Sequence, residues 1–150
     1  MGYARKATLQ DAFTLAPKLR KEDIAEIRAT IGEEPDNALV FAFFASEDCY
    51  AICDGNGAVI GMFGVSRTGA DEGSIWMVAS DELRRHGLEF LRKCREWIAA
   101  FNAKYPLLFG YTDCRNTLHH KWLKWCGFTF INKAPFGVEG RPFYAFVRIT

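Results

Sequence analysis

One amphipathic helix constrains this chain more than any other feature. From Ser74 to Phe101 the sequence reads SIWMVASDELRRHGLEFLRKCREWIAAF. Apolar residues at Phe90, Leu91, Cys94, Trp97, Ile98 and Phe101 fall on one stripe of about 3.6-residue period, while Glu89, Arg92, Lys93, Arg95 and Glu96 fall opposite. Just upstream, Ile75-Trp76-Met77-Val78 is rich in β-branched and aromatic residues and reads as a strand. Where strand becomes helix, the first backbone N–H groups lack partners and carry partial positive charge, which attracts phosphate. Arg84, Arg85 and Gly87 stand at that junction. Arginine adds bidentate donors, and glycine lets the backbone approach an anion closely. A surface turn with solvated arginines is the alternative reading of the same residues.

The remainder of the chain supplies partners for that helix. Tyr3–Ala7 reads as a short strand, and Thr8 as the N-cap of a helix from Leu9 with Asp11 in its first turn. Pro17 interrupts it. Ile24, Ile27 and Ile31 mark a second helix ended by Gly32, and Glu33-Glu34-Pro35-Asp36 opens a third. Cys49–Cys53 and Ala58–Arg67 form a hairpin about Asp54-Gly55-Asn56-Gly57, with Gly61 and Gly64 marking a bulge or a close backbone approach. Thr68–Gly73 turns the chain into the strand 74–79. After the main helix come a strand at Leu107–Thr112, a helix with Leu118, Trp122, Trp125 and Cys126 on one face closed by Gly127, and strands at Phe128–Asn132 and Phe143–Ile149. Lys133–Pro142 reads as a glycine- and proline-rich loop. The strand–helix–strand unit places strands 74–79 and 107–112 side by side and parallel. The class is α+β, as one domain over residues 1–150.

Composition limits the function classes. An aromatic content of 15% excludes disorder, and a formal charge of +1 gives no electrostatic case for nucleic acid. No apolar run approaches a membrane span, and the polar N-terminus gives no expectation of a signal peptide. Five cysteines, with no C-x-x-C pair and an odd count, read as reduced thiols of a cytosolic compartment.

These residues resemble the GNAT acyltransferases. That family's cofactor motif, Q/R-x-x-G-x-G/A, lies where a strand enters a helix and holds the acyl-CoA pyrophosphate. Arg84-Arg85-His86-Gly87-Leu88-Glu89 matches its first arginine and first glycine but has glutamate where the family has glycine or alanine. Asn116 and Gly127-Phe128 match a later family spacing. A narrower resemblance runs from about residue 75 to the C-terminus. Trp76-Met77-Val78-Ala79-Ser80-Asp81 and Asn116-Thr117-Leu118-His119 are similar to the small GNAT-like internal virion proteins of short-tailed phages. The resemblance implies a twisted, mostly antiparallel sheet of six to seven strands flanked by helices, with a splayed parallel pair at its centre. It implies acetyl-CoA or CoA in that splay, held by Met77, Val78, Arg84, Arg85, Gly87, Leu88 and Asn116. It further implies N-acetyl transfer, weakened or lost, to an amine on a small molecule or host protein, in the host cytoplasm. The competing implication is a non-catalytic role among phage virion proteins.

Acyl transfer to an amine needs a base, oxyanion donors and an acid for the leaving thiolate. The acid in many GNATs is a tyrosine seven residues after the asparagine, and here that position is Leu123. No carboxylate stands on the strand Ser74–Val78, so Glu72 with its neighbour Asp71, and Asp113, acting through water, and His119 are the candidate bases. His119 and His120 point to nearly opposite sides of a helix, which argues against a shared metal. Cys114 beside Arg115, and the four tryptophans, read as structural.

Overall fold

The computed structural model describes residues 3–150, without the side chains at positions 3, 87–89 and 91. The expectation that Gly87 and Leu88 hold phosphate therefore falls outside the described residues, except for their place in the backbone. Seven strands form one sheet: β1 (Tyr3–Lys6), β2 (Asp48–Cys53), β3 (Val59–Gly69), β4 (Glu72–Ala79), β5 (Leu107–Asp113), β6 (Thr129–Phe136) and β7 (Arg141–Ile149). Their order is β1-β2-β3-β4-β5-β7-β6, antiparallel everywhere except between β4 and β5. The β2–β3 turn is made by Asp54, whose Oδ1 accepts from the backbone N–H groups of Asn56 and Ala58, while Gly57 takes φ 84°. The bulge expected near Gly61 is present as a register shift between Ile52 and Cys53.

Helices α1 (Leu9–Leu15), α2 (Lys21–Ile31) and α3 (Pro35–Ala45) precede the sheet's hairpins, as the sequence predicts. Thr8 and Asp11 form a reciprocal capping box, and Arg5 holds Asp11 through two hydrogen bonds. Pro17 ends α1 in a 3-10 turn at Ala16–Lys18. Along β4 the side chains alternate between two cores. Ile75, Met77 and Ala79 join α4 (Gly87–Lys104) and α5 (Thr117–Trp125) on one face, and Val78 joins α1 and α3 on the other. On α4, Cys94, Ile98 and Phe101 are buried and Phe90 and Trp97 half-buried, while Arg92, Lys93, Arg95 and Glu96 are exposed. Trp97 packs among Tyr50, Phe63 and Phe101.

One expectation needs correction. Lys133–Pro142 is mostly not a loop, because β6 continues to Phe136 and β7 begins at Arg141. Pro135 faces Pro142 in the ladder, and the Pro142 carbonyl accepts from Cys114 N–H on the opposite, β5 side. Residue groups alternate sides along a strand, so this pair exchanges no hydrogen bonds and the missing proline donors cost nothing there. On α2, the isoleucine stripe is only partly buried, with Ile24 and Ile27 packed against the core under α1 and α3. Ile31 is exposed and Ile24 and Ile27 are half-buried, whereas Asp23 and Ala29 are buried.

The feature that positions the site is the parting of β4 and β5. They pair only at Glu72–Leu107, Gly73–Leu108 and Ser74–Phe109, then diverge. Gly110 stands where the gap opens, and a Cβ there would lie 2.9 Å from the Ile75 carbonyl and 2.5 Å from Phe146.

Candidate functional site

Beyond Ser74 the outer edge of β4 has no strand partner, so its peptide groups must be satisfied otherwise. Ala79 N–H donates to Asp23 Oδ2 at 3.0 Å, and the Ala79 carbonyl accepts from Arg20 N–H at 2.9 Å. Ser80 N–H, by contrast, points to β3, donating to the Ile60 carbonyl. Alternation along the strand then directs the Met77 N–H and C=O into the gap, where no partner for them exists among the described residues.

Helix α2 crosses the mouth of the gap with two acidic residues one turn apart. Asp23 serves the β4 side. Its carboxylate accepts from Arg20 Nε at 3.2 Å and Nη2 at 2.9 Å, and from Asn116 Nδ2 at 3.0 Å. Arg20 Nη2 also donates to Asn116 Oδ1 at 3.0 Å, which closes a buried three-residue network. Glu26 serves the β5 side, where its Oε1 accepts from Asp113 N–H at 2.6 Å and Thr112 Oγ1 at 3.0 Å. Its Oε2 lies 3.8 Å from His119 Nδ1, and Thr112 Oγ1 lies 3.3 Å from the same nitrogen. The ring's other nitrogen, Nε2, has no partner among the described residues and is not sealed from solvent.

Between β4, α5 and the segment leading into α4 lies a cavity of about 380 Å³. Met77, Val78, Leu83, Phe90, Trp122 and Trp125 give it apolar walls, and His119 and Asp23 line it as well. Arg84 and Lys121, both exposed, bring two cations to the same lining. An apolar pocket with a few polar groups converging on it is the usual form of a small-molecule site. Unpaired strand groups beside apolar walls and cations fit a ligand with an amide-bearing arm and a phosphate head, which is the chemistry of CoA.

The structure gathers four of the residues singled out from sequence, Met77, Val78, Arg84 and His119, around one cavity. The others whose side chains are described lie outside its lining. Arg85 is 77% exposed and pairs with Glu82, outside the lining. Asn116 is spent on Arg20 and Asp23. Glu72 sits at the paired end of β4, seven residues from Ala79 and so roughly 23 Å away along an extended strand. Asp113 is buried and clamped by Arg115 at 2.6 Å. Burial would raise its pKa, but the Arg115 hydrogen bonds and charge outweigh this and hold it below the usual value. His120 donates to the Asp113 carbonyl at 2.8 Å, and burial lowers its pKa. Leu123 is fully buried in the core, away from the cavity lining. Among the described residues no cluster of three or more His, Cys, Asp or Glu could hold a metal ion, and no helix is long and apolar enough to cross a membrane.

Arg20, Asp23, Glu26 and Lys121 did not stand out in the sequence as site residues. Asp23 lies in the first turn of α2, where an acidic residue is also explained by the helix dipole.

No protein-family model and no curated protein sequence matches the chain. Solved structures do. Ard1 from Thermoplasma volcanium aligns over 99% of this chain and 97% of its own with a TM-score of 0.73 at 16% identity. A GCN5-related N-acetyltransferase from Kribbella flavida aligns over 99% and 98% with a TM-score of 0.72 at 18% identity. A phosphinothricin acetyltransferase from Sinorhizobium meliloti, solved in complex with AcCoA, aligns over 99% and 88% with a TM-score of 0.70 at 16% identity. Nothing in these comparisons links the chain to phage virion proteins.

Proposed function

We propose that this chain, which has the GNAT fold, binds acetyl-CoA or CoA in the gap between β4 and β5 and supports slow acyl transfer to an amine. The observation that carries this reading is the unpaired Met77 backbone beside an apolar cavity with Arg84 and Lys121 in its lining. The Met77 groups would satisfy the amide arm, and the two cations would attract the phosphates. Such a donor supplies the activated thioester. For the chain's part, His119 is the group to accept the proton of the amine. Its Nδ1 is oriented by Glu26 and Thr112, and its Nε2 has no partner among the described residues. Among the described residues no tyrosine lines the cavity to protonate a thiolate, so on this reading that step falls to water and turnover is slow.

The acceptor is an amine on a small molecule or a host protein, met in the host cytoplasm. A second reading has specific support, since Asn116 and the Ala79 N–H are already consumed by Asp23. On that reading the protein keeps the fold without the chemistry, as a component packaged in a phage virion.

Calorimetry with acetyl-CoA, followed by a screen of polyamines, aminoglycosides and host-lysate proteins with labelled acetyl-CoA, separates the two. Binding with slow, His119-dependent transfer supports the enzyme. Binding without transfer, with the protein found inside purified virions, supports the virion role. No binding at millimolar acetyl-CoA refutes the cofactor reading altogether.

A further inference from the structure

The cavity wall conceals a second piece of chemistry that acyl transfer does not use. Cys94, midway along α4, and Cys126, the C-cap of α5, are both buried, and their sulfurs lie 3.4 Å apart with Cys126 donating to Cys94. They are not disulfide-bonded. One turn before Cys126 stands Trp122, which also lines the cavity. Its indole Nε1–H is the only buried side-chain nitrogen or oxygen without a hydrogen-bond partner among the described residues. A neutral thiol is a poor acceptor, whereas a thiolate at Cys94 would give that indole a full one.

We propose that Cys94 and Cys126 form a redox-active dithiol that closes to an intramolecular disulfide on exposure to a hydroperoxide and thereby moves the Trp122 wall of the cavity. The Cys94 thiolate attacks the peroxide, forming an S–O bond and breaking O–O, and the departing hydroxide takes up a proton as water. The Cys126 thiol then gives up its proton, and its sulfur displaces the Cys94 hydroxyl as a second water. Two thiols and one hydrogen peroxide thus give one disulfide and two waters. Closure to a covalent distance of about 2.05 Å draws α4 and the end of α5 together at the residue one turn beyond Trp122.

Local electrostatics oppose simple exposure in choosing the reactive thiol. The hydrogen bond from Cys126, then the neighbouring Trp122, lower the Cys94 pKa against the upward pull of burial. Cys126 is raised because it is the donor and is buried. Burial pushes Cys49 up to about 12, and it also raises Cys114, although both are more accessible than the pair.

The test treats the native protein with one equivalent of hydrogen peroxide, then alkylates under denaturing conditions and maps peptides without reduction. The expected result is loss of two of the five thiols, a cross-link between the Cys94 and Cys126 peptides, and a change in tryptophan fluorescence reversed by dithiothreitol. Cys126→Ser should stop at a Cys94 sulfenic acid captured by dimedone. Oxidation landing first on Cys49 or Cys114 would overturn the proposal. So would five intact thiols, or a cross-link that leaves the fluorescence unchanged.

Discussion

Removing the Asp23 carboxylate should be among the most damaging single changes in this fold. Asp23 is 2% exposed and accepts four hydrogen bonds: two from Arg20, one from Asn116 and one from the Ala79 peptide. In Asp23→Ala the Arg20 guanidinium, itself buried, loses its only close counter-ion and retains a 4.0 Å contact with Glu22. Breaking one side of a buried pair typically costs about 3–5 kcal/mol. The orphaned Ala79 N–H belongs to the same rupture, so its usual penalty of about 1–3 kcal/mol is partly contained in that figure. With a urea m-value of about 2 kcal/mol/M, a loss of about 4 kcal/mol lowers the unfolding midpoint by about 2 M. The assay is urea unfolding followed by tryptophan fluorescence. Arg20→Met/Asp23→Leu should recover part of the loss, because replacing both charges removes the ion pair's desolvation penalty together with its attraction, while the Ala79 N–H and the buried Asn116 amide stay without the partners they lose. A cost below about 1 kcal/mol for Asp23→Ala, or a double variant as unstable as the sum of its parts, would refute the network's stapling role.

Three further outcomes follow from the site. Arg84→Ala should weaken acetyl-CoA binding by about 1–3 kcal/mol, and more at low salt, whereas Arg85→Ala should leave calorimetric affinity unchanged. If transfer is detected, His119→Gln should lower kcat by about 10²–10⁴-fold with acetyl-CoA affinity retained, and Glu72→Gln should change neither. Stability should also fall in acid. Asp11, held down chiefly by its Arg5 hydrogen bond, and Asp113, held down by Arg115 against burial, both lie below their ordinary 3.8. A lowered carboxyl pKa gives stability that is present above the unfolded value and lost as pH falls through the folded one. His120, lowered by burial from 6.5, begins the loss earlier, because the unfolded chain binds its proton first. Urea midpoints measured from pH 7 to pH 3 should therefore decline throughout, and Asp113→Asn should flatten the acid end.

What the sequence revealed was mostly local. The Thr8 cap, the Pro35 helix start, the Asp54 turn and the α4 stripe each depend on neighbours a few residues away, and all are present. The splayed pair was legible through family resemblance, which also marked Met77, Val78 and Arg84. Helix α2 was legible as a helix ended by Gly32, but its role at the gap was not, because its informative contacts are distant in sequence: Asp23 to Ala79, Asp23 to Asn116, and Glu26 to Asp113. Periodicity picked out Ile24, Ile27 and Ile31, but it could not show that Asp23 on the same helix is buried, because its partners come only from the tertiary fold. Asn116 shows the converse. Its motif position was legible, but its amide is committed to an ion pair rather than to the cavity. Density of proline and glycine misled at 133–142, because it cannot report which side of a strand a missing N–H would have faced.

The gap between β4 and β5 is therefore divided rather than simply open. On the β4 edge, Ala79 and Met77 turn two successive peptide groups outward; Asp23 and Arg20 take the first, and the second has no partner among the described residues. On the β5 edge, Glu26 takes the Asp113 N–H and, through the same carboxylate, approaches His119. One helix thus both narrows the gap and orients His119 in the cavity lining. An arrangement that served only to seal the gap would have no need of apolar walls around Met77 or of two cations beside them. One evolved for rapid acyl transfer would place an acid where Leu123 is buried in the core. An apolar cleft with a histidine oriented by Glu26 and Thr112, and no tyrosine in its lining among the described residues, is the geometry on which the proposal of slow transfer rests.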